Sequence, residues 1–482
     1  MLEDVRKERI QKLEKLQQEG INPYPATVAR THTAAQAHKS FAALARSKKK
    51  ISLAGRLMGL RDQGNLLFGD LRDESGQFQI VIKKDLIKNF KLVKDTLDRG
   101  DFISVEGPLF KTQKGQESVE VRKVTMATKT LLPLPTDWYG ISDLETRLRQ
   151  RYLDLIMNQD VAEMFRKKSR FWNACRSFLL KENFLEIDMS ALEPVPGGAE
   201  AEPFVTHHNA LNQDFYLRIS LELPLKKLVV GGYERVFEIG RVFRNEGIDK
   251  DHLQDYMQME CYWAYADYKD LMKLVEKMYK HIVRETCGTL TTTWHGEKIN
   301  WGRRWDKIDY SEAFRKANGF DPIEATRSQL LKKAEQLNLD ADDTLGKGRL
   351  IDLVYKKTVR PHFIQPSFLI NHPVDISPLS KRSPGNPNIV ERLQPVACAS
   401  ELGNGWSELN DPLDQRSRFE AQMKLREAGD NEAQMMDEDF VEALEYGMPP
   451  TAGFGMSERL FAILMDKPIR ETVFFPLMRN KD

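Results

Sequence analysis

Two runs with strand-like alternation, 236–244 and 256–265, flank a polar loop and constrain the fold of this chain more than any other feature. Successive side chains of a strand point to opposite faces, so each run divides into two sets. One set is mostly apolar and contains Met259, whereas the other contains Arg244 and Glu260. A sheet with one apolar face must bury that face against helices. The runs therefore predict an antiparallel hairpin whose polar face lines a cleft.

The predicted cleft face brings Arg244 and Glu260 together with Tyr256 and Tyr262. An arginine binds an oxyanion through two parallel hydrogen bonds, a carboxylate holds an ammonium, and a tyrosine ring stacks on a flat ligand. This set suits a ligand that carries a carboxylate or phosphate beside an amine. On the hairpin alone, an ion pair on a solvated sheet face is the alternative.

Two further segments favour a ligand-binding cleft over an ion pair on a solvated sheet face. Residues 219–232 predict a short amphipathic helix with Glu222 in its first turn. Residues 401–411 alternate, and the members of one face, preceded by Glu401, are Asn404, Trp406 and Glu408.

A helix near the C-terminal end of the sequence is predicted to start at the cap Ser457 and to carry Arg459 in its first turn. A cation there opposes the helix dipole at a cost of about 0.3–1 kcal/mol. A bound anion would offset that cost.

With 482 residues, the chain is expected to form two or three domains. Residues 51–128 contain five β-rich runs, and a helical face ended by Gly100 lies between the third and the fourth run; its members are Leu86, Phe90, Val93 and Leu97. This order predicts an OB-fold barrel, a common platform for single-stranded nucleic acid. A purely structural small β-barrel remains the alternative.

The remaining patterns divide the chain further. A proline-marked linker is predicted at 131–141, followed at 142–145 by the Ser-x-x-Glu pattern of a capping box. We thus expect an N-terminal basic helical extension (1–50), the OB-fold domain (51–130) and a second domain (142–482) with a helical insertion near 310–362. The first fifty residues hold eleven Lys and Arg against five Asp and Glu. A solvated amphipathic helix is preferred there to an RNA-contacting arm.

Composition limits the location of the chain and its general affinities. The net charge of +1 gives no overall attraction to nucleic acid or membrane. The four cysteines are scattered singly, which favours a reducing compartment. No signal peptide or apolar run of about 18 residues is found, so a cytoplasmic protein without membrane spans is expected.

Four long motifs strongly resemble class II lysyl-tRNA synthetases: RVFRNEGID (241–249), MECYWAYADY (259–268), GNGWSELNDPLDQRSRFEAQ (403–422) and EYGMPPTAGFGMSERL (445–460). The resemblance implies an α+β chain, with an N-terminal OB-fold anticodon-binding barrel and an antiparallel-sheet catalytic domain flanked by helices, in a homodimer. It also implies activation of L-lysine with ATP and Mg²⁺ to lysyl-adenylate, followed by transfer to the 3′ end of tRNA(Lys).

The resemblance further implies the roles of individual residues. The implied catalytic residues are Arg244 and Arg459. The implied ATP-binding residues are Arg244, Glu246, His252, Tyr256, Glu401 and Arg459, with the loop from Asn245 to Asp255 closing over the nucleotide. The implied lysine-binding residues are Gly198, Glu222, Arg244, Glu260, Tyr262, Asn404, Trp406 and Glu408. The implied anticodon-binding residues are Arg61, Phe68, Gln79 and Gln116, and the implied metal ligand is Glu401.

Several positions differ from the residues usual in that family. Ser190 replaces a proline and Glu202 an arginine, while Gln116 replaces a glutamate that contacts the anticodon. Gln394 stands where a magnesium-binding glutamate is usual, so Glu401 is expected to be the main carboxylate ligand of the metal.

Three other functions compete with this interpretation. A synthetase for aspartate or asparagine is disfavoured because Glu222, Glu260 and Glu408 suit an ammonium. A paralogue that modifies a protein with a lysine-like group is disfavoured by the OB-fold pattern. A binding protein with an inactive catalytic fold is disfavoured by the presence of Arg244 and Arg459.

Overall fold

The computed structural model describes residues 2–135, 141, 143–247, 252–341, 345–430 and 432–480. The chain divides into two compact units, residues 1–142 and residues 143–482, and each is described by itself. Across the described residues, no helix combines the length and the apolar character that crossing a membrane requires.

The described residues of unit 1 form one mixed sheet and four helices. The helices are α1 (Leu2–Gln18), α2 (Ala34–Lys39), α3 (Phe41–Ser47) and α4 (Phe90–Thr96). The strands are β1 (Ile51–Asp62), β2 (Leu66–Asp73), β3 (Gly76–Lys83), β4 (Phe102–Gly107), β5 (Leu109–Lys111), β6 (Glu117–Val121) and β7 (Lys123–Thr128). Their order in the sheet is β5-β6-β3-β2-β1-β4-β7, with only β3 and β6 parallel.

The first three predicted β-rich runs are confirmed as β1, β2 and β3, but each of the last two divides into two strands. The fourth breaks at Pro108, which has no N–H for a ladder. Gly107 allows close approach there, since a Cβ at this position would overlap the carbonyl oxygen of Glu120. The fifth breaks at Arg122, so that β6 pairs with β3 while β7 pairs with β4.

The predicted helix between the third and fourth runs is present but shorter than expected. It begins at Phe90, so Leu86 lies in the preceding turn, where its N–H donates to the carbonyl of Lys83. It ends at Thr96, and Gly100 takes a φ of 107° in the turn before β4 instead of ending the helix.

The N-terminal helix α1 is confirmed, and its basic residues are partly used inside unit 1. Arg9 is buried, and its guanidinium donates to the hydroxyl of Thr130 at 2.8 Å and to the carbonyl of Arg99 at 3.0 Å. Lys12 pairs with Asp98 at 2.8 Å. These bonds fix α1 on the barrel, so only part of its positive charge faces solvent.

Unit 2 is built on one large sheet with helices on both sides. Its helices are α5 (Leu144–Arg149), α6 (Arg151–Met157), α7 (Gln159–Lys181), α8 (Glu222–Val230), α9 (Tyr268–Cys287), α10 (Tyr310–Asn318), α11 (Arg327–Gln336), α12 (Lys347–Thr358), α13 (Pro412–Glu427), α14 (Glu438–Glu445) and α15 (Arg459–Leu464). Short 3₁₀ helices span Arg360–His362, Val374–Ile376 and Ile469–Thr472.

The strands of the large sheet run in the order β16-β17-β20-β22-β23-β13-β12-β8, with β21 paired to β20. They are β8 (Leu185–Glu186), β12 (Arg235–Phe243), β13 (Asp255–Ala264), β16 (Asp306–Asp309), β17 (Ser367–Ile370), β20 (Arg392–Ala397), β21 (Ser400–Glu401), β22 (Asn404–Ser407) and β23 (Thr451–Ser457). Smaller sheets comprise β9 (Leu192–Glu193), β10 (Val205–His208) and β11 (Gln213–Leu217), then β14 (Thr291–Trp294) with β15 (Glu297–Asn300), and β18 (Arg382–Ser383) with β19 (Asn386–Val390). All pairs from β17 to β12 are antiparallel.

The predicted hairpin is confirmed as β12 and β13, with Glu238 opposite Glu260 and Val242 opposite Tyr256. Its apolar side packs against α7 and α9, and Met259 has no exposed surface. Burial of that side leaves the opposite side of the sheet for the cleft.

Several predicted boundaries need correction. Ser142 of the predicted capping box lies outside the described residues, and α5 is capped by Asp143, whose carboxylate accepts from the N–H of Thr146. Ser457 ends β23 instead of capping α15, for which Glu458 is the N-cap residue.

Two further segments differ in extent. The alternating stretch FLEIDM (184–189) predicts a strand, but only the two-residue strand β8 forms there. Helix α8 starts three residues into the predicted segment 219–232. Most of the predicted linker at 131–141 lies outside the described residues.

Candidate active site

A cavity of about 350 Å³ opens on the polar side of the large sheet in unit 2. Most of the predicted substrate-binding residues line it: Gly198, Glu222, Arg244, Tyr256, Glu260, Tyr262, Glu401, Asn404, Trp406 and Arg459. Glu408 lies behind the wall, while Glu246 and His252 lie on the hairpin loop outside the lining. Residues 248–251 of that loop fall outside the described residues.

Glu260 is the most densely bonded acid of the cavity. One oxygen, Oε1, accepts from the hydroxyl of Ser220 at 2.7 Å, the N–H of Leu221 at 2.9 Å and the amide of Gln258 at 2.6 Å. The other, Oε2, accepts from the hydroxyl of Tyr262 at 2.9 Å. Hydrogen bonds to a carboxylate are among the stronger ones in proteins. The four bonds therefore fix the position of the Glu260 side chain.

The bonds to Glu260 also explain where helix α8 begins. Leu221 donates its N–H to Glu260 instead of entering the helix, so the first helical residue is Glu222. Gly198 approaches this point with a φ of 83°, and a Cβ there would lie 2.8 Å from the Cβ of Glu222. Only glycine fits this backbone comfortably, which leaves its main chain open to the cavity.

Lys226, one turn after Glu222, bridges two acids beneath the cavity. Its ammonium lies 2.5 Å from a carboxylate oxygen of Glu222 and 2.5 Å from Oε2 of Glu408. Trp406 also donates its indole N–H to Oε2 of Glu408 at 2.8 Å. The Lys226 side chain has no exposed surface. The three ionisable groups thus form a buried triad with one cation between two carboxylates.

Burial shapes the ionisation of this triad. It raises the pKa of Glu222 to about 8 and that of Glu408 to about 7, because a carboxylate loses hydration there, although Lys226 opposes both shifts. Burial also opposes the charge of Lys226, but the two carboxylates outweigh it and raise the pKa of the ammonium. A second cation in the cavity would therefore favour the charged form of both acids.

Arginines also line the cavity, and two of them are Arg244 and Arg459. The guanidinium of Arg244 lies 5.6 Å from the ring centroid of Tyr256 and donates to the carbonyl of Ile219 at 3.2 Å. Arg459 begins α15, and its N–H donates to the hydroxyl of Ser457 at 3.3 Å. Burial raises the pKa of Tyr256, so its phenol stays protonated. Arg244, Arg459 and Tyr256 thus present two cations and an aromatic ring to an anionic, planar ligand.

Asn404 and Glu401 also line the cavity. The side-chain oxygen of Asn404 accepts from Arg392 at 2.7 Å and from the amide of Gln394 at 3.0 Å. Gln394 is therefore engaged as a hydrogen-bond donor. Glu401 has one buried oxygen without a hydrogen bond, and its nearest cation, Arg360, is 3.7 Å away.

The donor set around Glu401 fits Mg²⁺ only together with a ligand. Within the described ranges, no three His, Cys, Asp or Glu side chains are grouped as a metal site. Magnesium in nucleotide sites is often held by one or two carboxylates plus substrate phosphates. The oxygen of Glu401 that accepts no hydrogen bond would supply one such carboxylate.

Sequence reasoning missed Ser220, Lys226 and Arg392. A signal for Lys226 existed, since Glu222 and Lys226 are four residues apart and so are neighbours on a helix. Such a pair is usually solvated, and only the tertiary packing shows that this one is buried.

The predicted nucleic-acid-binding residues lie in unit 1. Arg61 on β1 is paired with Phe68 on β2, and Asp70, two residues further along β2, is paired with Gln79 on β3. Arg61, Phe68 and Gln79 therefore share one face of the sheet. Gln116 lies in the turn between β5 and β6, close to Ser118, whose hydroxyl donates to Gln79 at 2.8 Å. Phe68 is half-buried, so part of its ring is available for stacking.

Each of the two units matches a known protein family. Residues 143–479 match the family of tRNA synthetases class II (D, K and N), and residues 51–127 match the OB-fold nucleic acid binding domain. The fold and its cavity thus define a class II tRNA synthetase.

Similarity to individual proteins identifies the family within class II more closely. The chain is 44% identical to a lysine–tRNA ligase of Roseiflexus sp., with 100% of both chains covered. It is 44% identical to a lysine–tRNA ligase of Moorella thermoacetica, covering 98% of this chain and 97% of the relative, and 42% identical to one of Nostoc punctiforme, covering 99% and 88%. The chain belongs to the lysine–tRNA ligase family of class II tRNA synthetases.

Proposed function

We propose that this chain activates L-lysine with ATP to lysyl-adenylate and transfers the lysine to the 3′ end of tRNA(Lys). The observation that carries the proposal is a cavity whose lining combines buried carboxylates with arginines. The carboxylates are complementary to an amino acid with a second ammonium, and the arginines to a nucleotide with a chain of phosphates.

In the proposed reaction, an oxygen of the lysine carboxylate attacks the α-phosphorus of ATP, and pyrophosphate leaves. The reaction joins two anions, so cations must offset their repulsion while the reactants are held in line. Arg244 would contact the lysine carboxylate and the α-phosphate, and Arg459 the outer phosphate. Tyr256 would stack on adenine, and Glu246 and His252 would contact ATP from the hairpin loop. Glu401 would hold Mg²⁺, which shields phosphate charge.

Lysine itself would be held by the acidic residues of the cavity. The main chain of Gly198 and the side chains of Glu222 and Glu260 would contact its ammonium groups, with Tyr262 beside them. The other proposed contacts are Asn404, Trp406 and Glu408. The acids disfavour aspartate and asparagine as substrates, because neither has a cationic side chain to pair with them.

In the second step, a hydroxyl at the 3′ end of the tRNA attacks the lysyl carbonyl, and AMP leaves. The barrel of unit 1, proposed to span 51–130, would bind the anticodon through Arg61, Phe68, Gln79 and Gln116.

We also propose that the chain works as a homodimer in the cytoplasm, as its family resemblance implies. Elution at twice the mass of the chain would test the dimer.

The test of the proposed function is ATP–pyrophosphate exchange with each of the twenty standard amino acids, without tRNA. Exchange that depends on lysine alone is the expected result. Exchange with another amino acid would refute the assignment of the acidic residues, and no exchange at all would favour a binding protein.

A further inference from the structure

Lys226 combines deep burial with complete pairing. It lies on α8, and its ammonium is 5.6 Å from the ring centroid of Phe440 on α14 and 2.5 Å from both Glu222 and Glu408. A buried ammonium is unfavourable unless charged partners compensate for its lost hydration. Two carboxylates provide that compensation, so the position of Lys226 is fixed.

The two oxygens of Glu408 have different surroundings. Oε2 receives the ammonium of Lys226 and the indole N–H of Trp406. Oε1 is buried and has no hydrogen-bond partner. It lies against Gly453, a residue of the cavity lining, where an added Cβ would overlap it. An unpaired buried carboxylate oxygen is costly, and a ligand that brings a donor removes that cost.

We propose, as an extension of the proposed function, that Lys226 is a positioning residue for lysine selection. With Trp406 it holds Oε2 of Glu408, and it leaves Oε1 as the acceptor for the ε-ammonium of the substrate. Without Lys226, only Trp406 orients the carboxylate, and burial favours its protonated form, which binds an ammonium poorly. Norleucine, which is lysine without the ε-amine, does not use this acceptor.

The test compares Lys226→Met with Lys227→Met, since Lys227 is on the same helix but pairs at the surface with Asp439. In lysine-dependent exchange, K226M should raise KM for lysine on the order of 30- to 100-fold, as expected when a buried charge loses its partner. KM for ATP should stay within about twofold, and the preference for lysine over norleucine should fall by the same factor as lysine affinity. K227M should behave like the unaltered chain.

Trp406→Phe supplies a second variant in case K226M does not fold. It removes the other donor to Oε2 and should raise KM for lysine by about 3- to 10-fold. An unchanged KM for lysine in both variants would overturn the proposal, as would equal increases for lysine and ATP. A lower KM for lysine in K226M would also overturn it, because Lys226 would then compete with the substrate.

Calorimetric titration with L-lysine, which needs no turnover, separates this proposal from the proposed function. If the unaltered chain binds lysine but catalyses no exchange, the proposed function fails, and the ratio of lysine affinities between the unaltered chain and K226M decides the role of Lys226. If the unaltered chain does not bind lysine, both proposals fail.

Discussion

The proposed nucleic-acid face of unit 1 and the acidic cavity of unit 2 use polar residues in opposite ways. On the face, Arg61 and Gln116 are exposed and Phe68 is half-buried. In the cavity, Glu222 and Glu260 are each only 3% exposed, and Glu260 accepts four hydrogen bonds. A base stacks only on a ring that it can reach, whereas an ammonium is selected best by carboxylates that have lost their water.

The two regions should respond differently to substitution. An exposed contact contributes only its own interaction, so its loss is small and local. A buried acid is held by a network, and removal of one member leaves the others unpaired. Changes to the cavity should therefore abolish amino-acid activation, and changes to the face should weaken only the steps that involve tRNA.

The largest expected effect is that of Arg244→Ala. Loss of a preorganised cation at the reacting phosphate should lower kcat/KM for lysine-dependent exchange on the order of 10³-fold. Binding of tRNA(Lys), measured by filter retention, should change less than about twofold. Arg241→Ala is the matched control, since Arg241 is exposed on β12, three residues before Arg244, and pairs with Asp255. A drop for R241A as large as that for R244A would contradict the assignment of Arg244.

Phe68→Ala should separate the two regions in the opposite direction. Loss of one stacking surface for a base is worth about 1–3 kcal/mol, so kcat/KM for charging of tRNA(Lys) should fall about 10- to 100-fold. Exchange without tRNA should stay unchanged. Phe102→Ala is the control in the same unit, because the Phe102 ring contacts Arg56. Normal charging by F68A would remove Phe68 from the proposed anticodon contacts.

Binding of lysine in the acidic cavity should depend on pH. Since burial raises the pKa of Glu222 and of Glu408 to about 8 and about 7, lysine must displace a proton at lower pH. The pair faces Lys226 on α8 and Glu260 and Tyr262 on β13. KM for lysine should fall about tenfold between pH 6.5 and 8.5, while KM for ATP changes little. A flat profile for lysine would show that both acids are already ionised.

The same shifts have a consequence for stability. A carboxyl whose pKa is higher in the folded chain than its ordinary 4.5 stabilises the fold most below pH 4.5. This contribution is lost as pH rises through the folded values of about 7 and 8. Bound lysine supplies the missing cation, so the increase in Tm on adding lysine should be larger at pH 8.5 than at pH 6.5.

The smallest expected effect belongs to Gln116→Ala in the exposed β5–β6 turn. Removal of one solvent-accessible hydrogen-bonding side chain is worth about 0.5–1.5 kcal/mol, so kcat/KM for charging should fall about 3- to 10-fold. Exchange should not change. The exposed neighbour Lys114→Ala tests whether charge in this turn, and not the amide, carries the effect.

The sequence was most informative where a pattern is local. The alternation of the hairpin placed Tyr256 and Glu260 on one face and Met259 on the other, and the structure confirms that separation. Strand periodicity depends only on neighbouring residues, so it is readable without the rest of the fold. Long motifs also identified the family, because they record a whole site at once.

Boundaries were less predictable because distant groups compete for the backbone. Helix α8 begins late since Leu221 donates its N–H to Glu260, which lies 39 residues further along the chain. Ser457 is drawn into β23 by pairing with Gln258 on β13. Neither partner is visible from the local sequence.

The sequence by itself determined the hairpin, the strands of the barrel and the residue types of the site, since periodicity and motif are properties of adjacent positions. Only the tertiary structure decided which charges are buried. Lys226 and Lys227 are adjacent in sequence, yet one is enclosed by Glu222 and Glu408 and the other reaches Asp439 at the surface. Packing removes water from the ammonium of Lys226 and not from that of Lys227. For this reason Lys226, and not Lys227, is proposed to act in lysine selection.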